Sequence, residues 1–193
     1  MSNLRSQRLN QATHAPHERL DHAVKANDPF SSRENFSPFV QAQYLFQSEL
    51  QALYQRDELI AIFPDLAARC RARQAEADLA DLGAAVPAAV EGAPGELSRA
   101  EALGWLFVSE GSKLGAAFLI KRVAALGLSE SFGARHLGEP EGGRAAGWKL
   151  FTHTLDALQL SEAEDRAAEA GALAAFERFA DLLQHSYAQA RAA

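Results

Sequence analysis

Six histidines are the side chains of this sequence best suited to hold a metal: His14, His17, His22, His136, His153 and His185. None has a glutamate three residues before it, so the Glu-x-x-His pattern of di-iron helical bundles is missing. The His-Glu-x-x-His zinc signature and the Gly-x-Ser-x-Gly nucleophile elbow are missing too. Glu110-Gly111-Ser112-Lys113 lacks the Gly-x-x-x-x-Gly-Lys frame of a phosphate loop. His14 and His17 are three apart, but nothing supplies the remaining ligands of a metal site. His17 stands out from the other histidines. It falls early in an amphipathic helix expected to begin near Thr13–Pro16, on the apolar side with Leu20 and Val24. Near a helix N-terminus the macrodipole disfavours the imidazolium form, and a neutral imidazole can ligate a metal. A buried, hydrogen-bonded core histidine satisfies the same pattern.

The second feature is the stretch Gly104 to Arg122, GWLFVSEGSKLGAAFLIKR. It reads as a long apolar helix in which Gly111 and Gly115 lie four residues apart, about one turn, and so on one face. Each glycine costs a helix interior roughly 0.5–1 kcal/mol relative to alanine. Two on one face allow a bend, and they let a second backbone or a flat ligand come close. Spacing alone leaves both a tight helix crossing and a helix laid across a planar cofactor open.

The elements that must position these residues are helical. A chain of 193 residues suits one domain with one core, 1–193. Hydrophobic residues make up 48% and charged residues 23%, Ala and Leu are abundant, and β-branched residues are few. A net charge of −6 argues against a nucleic-acid partner. A single cysteine, Cys70, excludes an internal disulfide and a multi-cysteine metal site; it lies in the basic run Arg69-Cys70-Arg71 and reads as a bystander. There is no Cys-x-x-Cys-His for covalent haem attachment. The N-terminal MSNLRSQRLNQATH has no apolar core of signal-peptide length, and no apolar run reaches the roughly 20 residues of a membrane span. A cytoplasmic protein with no membrane partner is expected.

In order, residues 4–12 read as helix, with a new or kinked helix starting near Pro16 and ending near Asn27. Ser31-Ser32-Arg33-Glu34 fits a capping box opening a long helix with Phe36, Phe39, Val40, Tyr44, Phe46, Leu50 and Leu53 as core. A short helix at Glu58–Phe63 follows, and Pro64 opens another to about Leu82. Gly83–Leu97 is a Gly/Pro-rich loop. Ser98-Arg99-Ala100-Glu101 caps the glycine-bearing helix, which ends near Gly127. After an irregular segment, a helix from about Glu141–Arg144 to Leu158 carries Trp148, Phe151 and Leu155. Ser161–Glu164 caps the last helix, to about Ala188. No stretch alternates as a strand and no repeat is visible, so the expectation is an all-α domain of six to eight helices, unlike an up-down bundle.

Four blocks in order, LRSQRLNQATHAPHERLD at 4–21, PFSSRENFSPFVQAQYLFQSEL at 29–50, EALGWLFVSEGSKLGAAFL at 101–119 and FGARHLGEPEGGRAAGWK at 132–149, resemble the haem oxygenase family, most closely its bacterial, iron-releasing members. The resemblance spans nearly the whole chain. It implies a single-domain, multihelical fold with haem between a proximal helix and a kinked distal helix. His17 then matches the proximal iron ligand, and Gly111 and Gly115 match the paired distal glycines. In this family haem is both cofactor and substrate, and O2 with electrons opens the ring to biliverdin, carbon monoxide and ferrous iron. A histidine ligand gives less electron push toward O–O cleavage than a thiolate. Bare backbone at Gly111 and Gly115, with Ser112, would crowd the bound oxygen and order a proton-delivering water. Many relatives carry Asp directly after the first glycine, where Ser112 stands here. Serine can hold a water but cannot act as a carboxylate. Phe107 would pack on the porphyrin. Lys25, Lys121 and Arg122 would meet the propionates, although each also reads as a solvated surface charge, and Asn10 would approach the ring from the first segment.

The expected electron donor is a ferredoxin or a ferredoxin/flavin-type NADPH reductase, since the chain has no flavin or dinucleotide motif. A haem carrier or sensor without turnover is the alternative from another class. A related helical fold acting on thiamin-like substrates through a nucleophilic cysteine is disfavoured by the position of Cys70.

Overall fold

Helix α7 (Glu162–Ala192) is the longest element of the computed structural model, which describes residues 4–193, and the other long helices are placed by it. They are α1 (Arg5–Asn27), α2 (Arg33–Tyr54) and α5 (Arg99–Val123); the shorter ones are α3 (Asp57–Ile62), α4 (Ala72–Asp81) and α6 (Arg144–Ala157). Short 3₁₀ turns stand at Leu66–Arg69, Ala124–Leu126 and Arg135–Leu137. No β-strand occurs among the described residues, only isolated bridges at Ser129. The all-α expectation holds.

Local chemistry explains the starts of α2, α5 and α7. Ser98 and Glu101 form a reciprocal capping box, as do Ser161 and Glu164. The α2 cap falls one residue later than the sequence pattern suggested. Ser32 has the extended backbone an N-cap needs, and its hydroxyl accepts from the Asn35 N–H at 3.0 Å. Two other expectations fail. Near Thr13–Pro16, the expected site of a new or kinked helix, no new helix starts; α1 is one element with Pro16 inside it. Tertiary contacts hold it together: Arg5 donates to the Leu155 and Leu158 carbonyls and, like Arg8, pairs with Asp165, while Ser6 donates to Asp156 through both its N–H and hydroxyl at 2.7 Å. The helix expected from Pro64 to Leu82 is split at Cys70–Arg71, where the Arg71 N–H leaves the helical pattern and donates to the Gln47 side chain at 2.9 Å.

The tightest crossing in the fold joins α5 to α7. A Cβ built on Gly104 would lie 2.0 Å from the Ala168 carbonyl oxygen, and one on Gly171 would lie 2.3 Å from that of Glu101. Backbone meets backbone here, and only glycine permits it. Around the crossing Leu103, Leu106, Phe46, Trp105, Ala172, Ala175 and Phe179 form part of one continuous core shared by the long helices. The segment Arg99–Leu126 is apolar and long enough to span a membrane by composition alone. In the fold its first half, Ala100 to Glu110, is mostly buried inside the protein, as in the core helix of a globular domain.

Helix α1 runs alongside α7 in the same direction, tied at Arg5–Asp165, His17–Phe176 and Asn27–Arg191. It also touches α6, but makes no extensive contact with α5. Both α1 and α5 lean on α7 without extensive contact with each other, and the space between them is the candidate cleft.

Two outcomes follow. Gly104→Ala should destabilise the protein by about 1–3 kcal/mol through overpacking, whereas Gly115→Ala should be neutral or stabilising by up to about 1 kcal/mol; urea denaturation distinguishes them. For Asp165, burial pushes the carboxyl pKa up, but hydrogen bonds from Arg8 and Arg5 outweigh it and the net shift is downward. A depressed folded pKa stabilises the fold above the unfolded value of about 3.9, and that contribution is lost as pH falls through the folded value. Asp165→Asn should therefore lower stability at pH 6–7 and flatten the loss seen below about pH 4, read from denaturation curves across that range.

Candidate active site

The candidate cleft is the space between α1 and α5, both of which pack on α7. On α1, His17 is exposed, and its ring meets Phe176 of α7 edge-on at 5.9 Å between centroids. Because α1 starts at Arg5, His17 lies in mid-helix. The macrodipole reasoning, which placed it in a first turn, does not apply. What orients the imidazole is Phe176, a residue the sequence pattern did not single out. Pro16, directly before His17, has no N–H and leaves the Ala12 carbonyl without its helical donor.

On α5, helical structure continues through both glycines. The structure separates the two possible roles of the pair. A Cβ on Gly115 would meet nothing within 4 Å, so this position faces open space. A Cβ on Gly111 would touch the Trp148 ring of α6 at 3.4 Å, so this position is lidded by an aromatic edge. Neither abuts another backbone; the close crossing belongs to Gly104 and Gly171. A helix-packing role for Gly115 is thereby excluded, and an approach surface is left. Ser112 between them is exposed, and its hydroxyl donates to the Ser109 carbonyl at 2.7 Å. One turn beyond, Phe118 is 73% exposed, unusual for phenylalanine on a helix of this hydrophobicity.

Phe107 does not lie on the cleft surface. It is buried and packs on Trp148 at 5.2 Å between centroids, with Trp148 stacked in turn on Phe151. The expectation that Phe107 touches a ring ligand directly gives way to a supporting role behind Trp148. Lys25 stands exposed in the last turn of α1, and Lys121 and Arg122 stand exposed in the last turn of α5. Arg122 lies over the Phe30 ring at 4.3 Å, just after α1 ends. Arg122 thus brings the end of α5 against Phe30, three residues after α1 ends. Asn10 is exposed on α1, two turns before His17.

Behind α5, away from the cleft, lies a polar cluster. Tyr54 Oη donates to Glu110 Oε1 at 2.8 Å and meets Ser109 Oγ at 2.6 Å, and Gln47 Nε2 donates to Ser109 Oγ at 2.9 Å. Arg69 and Lys113 donate to Glu110 at 2.9 and 2.6 Å. Burial and the neighbouring carboxylate push the Tyr54 phenol well above its ordinary value, keeping it a donor. Burial draws the Lys113 pKa down, and Glu110 opposes it.

No group of three or more His, Cys, Asp or Glu able to hold a metal ion occurs among the described residues. A metal carried within an organic ring needs only one protein ligand. Two surface cavities of about 310 and 500 Å³ lie elsewhere, at the α2–α7 junction and over the 87–91 loop, and neither is lined by His17 or the glycines.

The comparisons agree with one another. The family model described as "Heme oxygenase" matches residues 3–185. The chain is 59% identical over 187 residues to heme oxygenase PigA of Pseudomonas aeruginosa, covering 96% of this chain and 94% of that protein. Its fold superposes with a TM-score of 0.92 on the crystal structure of the NO- and CO-bound heme oxygenase of Neisseria meningitidis, at 33% identity, covering 97% of this chain and 94% of the other.

The two glycines should respond differently to bulk. Gly111→Leu is expected to displace Trp148 and change tryptophan fluorescence and near-UV circular dichroism in the ligand-free protein. Gly115→Leu is expected to leave both spectra at wild-type values. Equal changes would mean that the two positions share one environment.

Proposed function

This chain belongs to the haem oxygenase family, and from that premise we propose how its residues hold and process the substrate. The protein is a haem oxygenase: it cleaves haem with O2 and reducing equivalents to biliverdin, carbon monoxide and ferrous iron, with haem as substrate and prosthetic group. The site assignments are our reading of the cleft.

The residues present fit haem. An exposed imidazole, His17, faces a cleft whose opposite wall has an open glycine, Gly115, where a side chain would block a flat ring. An exposed Phe118 offers apolar surface, and Lys25, Lys121 and Arg122, in the last turns of α1 and α5, offer the charge that two propionates require. The open space at Gly115 is the observation that carries the reading, because neither packing nor backbone geometry explains a glycine there.

When bound, haem supplies the iron that takes up O2 and the ring carbon that is oxidised. The protein's part is placement. His17 would hold the haem iron, and Phe176 would fix the imidazole's plane. Gly111, Ser112 and Gly115 form the distal surface, where the missing side chains let backbone come close to the ring. Trp148, held by Phe107 and Phe151, closes the distal surface beside Gly111 and keeps water from that edge. The Ser112 hydroxyl already donates to a helix carbonyl, which leaves its lone pairs to accept from a water. In place of a carboxylate, Ser112 would hold that water, and the water would supply protons at the distal face. Lys25, Lys121 and Arg122 take the propionates, and Asn10 borders the opposite end of the proximal wall.

Residues 1–193 act as one domain; the single core shared by the long helices supports this. The electrons come from a separate ferredoxin or a ferredoxin/flavin-type NADPH reductase, since the chain carries no flavin or dinucleotide motif. We place the reaction in the cytoplasm and in iron acquisition. An unpaired Cys70 suits a reducing compartment, and the similarity to bacterial relatives supports the role.

Haem-loaded protein given reductant and O2 should lose its Soret band while a bilin and chelatable iron appear, with chromatography identifying the isomer. A stable ferrous-oxy spectrum would instead indicate a carrier or sensor. His17→Ala should bind haem with an altered ferric spectrum and lose turnover by at least about a hundredfold; an unchanged spectrum would remove His17 as the ligand.

A further inference from the structure

Arg5, Arg69, Arg135 and Arg178 each pair with an acidic side chain. Arg122 does not. Among the described residues no carboxylate pairs with it and no acceptor takes its side-chain N–H donors; its guanidinium lies instead over the Phe30 ring, 4.3 Å from the ring centre. A cation over an aromatic face is held by the ring's own charge distribution, and its N–H donors stay available. A guanidinium whose donors are unspent matches a carboxylate bidentately.

Both partners of this stack are fixed. Phe30 stands in the turn between α1 and α2, where the Ser31 N–H, the Ser31 hydroxyl and the Asn35 side chain all donate to the Asp28 carbonyl, at 3.2, 2.8 and 3.2 Å. The Phe30 ring packs on Phe36 and Phe39, both buried, at 6.1 Å between centroids in each case. From α2, Arg33 donates to the carbonyls of Leu126 and Gly127 at 2.8 and 3.3 Å, which ties the end of α5 to the start of α2. The turn that carries Phe30 and the helix that carries Arg122 are thus held together by backbone as well as by the stack.

Arg122 also shares a face of α5 with the open glycine. Gly115, Phe118 and Arg122 are spaced three and four apart and line one side of the helix. All three are exposed, Phe118 at 73%. Arg122 is about 10 Å along the helix from Gly115, comparable to the reach from the middle of a porphyrin to the end of a carboxylate arm. Phe30 follows directly on α1, the helix of His17. Lys25 and Lys121 are exposed too, but neither lies over a ring among the described residues.

We propose that Phe30 is a positioning residue for haem: it holds Arg122 where the guanidinium meets one ring carboxylate bidentately, and so fixes the rotation of the ring in the cleft and with it the carbon that is opened. Phe30 acts through Arg122. Lys25 and Lys121, flexible point charges, add attraction without direction. The proposal rests on the haem-cleft reading above.

The test uses the full-length protein with ferric haem and with ferric haem dimethyl ester, which has the same ring but no free carboxylate. The wild type should bind haem more tightly than the ester. Phe30→Leu and Arg122→Met should each weaken haem binding about two- to fivefold, while ester binding stays at the wild-type value. The double variant should lose no more than Arg122→Met alone. Phe30→Tyr, which keeps the ring, should restore haem binding. On turnover, Phe30→Leu should give a broader mixture of bilin isomers than the wild type. Haem and ester binding weakening together in Phe30→Leu points to packing and overturns the proposal. Unchanged haem binding in that variant, a wild-type isomer distribution, additive losses in the double variant, or equal affinity of the wild type for haem and ester overturns it as well. If Phe30→Leu does not fold, Phe30→Met takes its place with the same expected results. Failure of the wild type to form a one-to-one complex with either ring removes the cleft reading itself, and is seen before any variant is made.

Discussion

The close backbone crossing of α5 on α7 is the constraint from which the rest of the structure is set. At Gly104 and Gly171 there is no room for a methyl group, so the distal helix has one axial position and one rotation on α7. Helix α1 is referenced to the same α7 by the Arg5–Asp165 pair at one end and the His17–Phe176 contact further along. The two cleft walls barely touch each other, yet both are measured against a common element. The spacing of α1 and α5 is thus set by α7.

Seen from α5, the helix divides along its length. From Ala100 to Phe107 it is buried and packs as core. From Ser109 to Lys113 one side is tied to Tyr54, Gln47 and Arg69, while the other presents Gly111 to Trp148. From Gly115 to Arg122 it emerges, with an open glycine, an exposed Phe118 and a cationic end. A sequence this apolar throughout suggests uniform burial. The partial exposure of its second half is the mark of a surface completed by something other than protein.

Much of this was legible in the chain. Helix number, the caps at Ser98 and Ser161, the loop at Gly83–Leu97 and the place of Gly111 and Gly115 within one long helix follow from spacing and local chemistry. What local chemistry could not show is which glycine faces what. Gly104 lies in the same stretch, but its partner Gly171 is 67 residues away, and only the fold brings them together. The split at Cys70–Arg71 has the same origin, a side-chain acceptor on Gln47 of a different helix. Pro16 misled in the opposite sense, because tertiary ties at Arg5, Ser6 and Arg8 keep α1 continuous across a residue that breaks isolated helices. Phe176 and Trp148 carried no signal beyond ordinary core periodicity. Their part follows from a partner on another helix, a histidine in one case and a missing side chain in the other.

The exposed residues of the cleft bear on how substrate and stability are linked. Phe118 leaves most of its surface in water, and fully burying an aromatic side chain of that size is worth about 1.5–3 kcal/mol. A ring filling the cleft removes that surface from water together with its own two faces. It also ties α1 to α5, which in its absence are joined only through α7. Any ligand that binds the folded state alone stabilises it by mass action, and here the gain falls on the helix pair with least direct contact. The fold therefore need not be equally firm throughout. The α5–α7 crossing leaves no room for a methyl group, whereas few direct contacts set the α1–α5 spacing, so a ligand bridging those two helices would add most there.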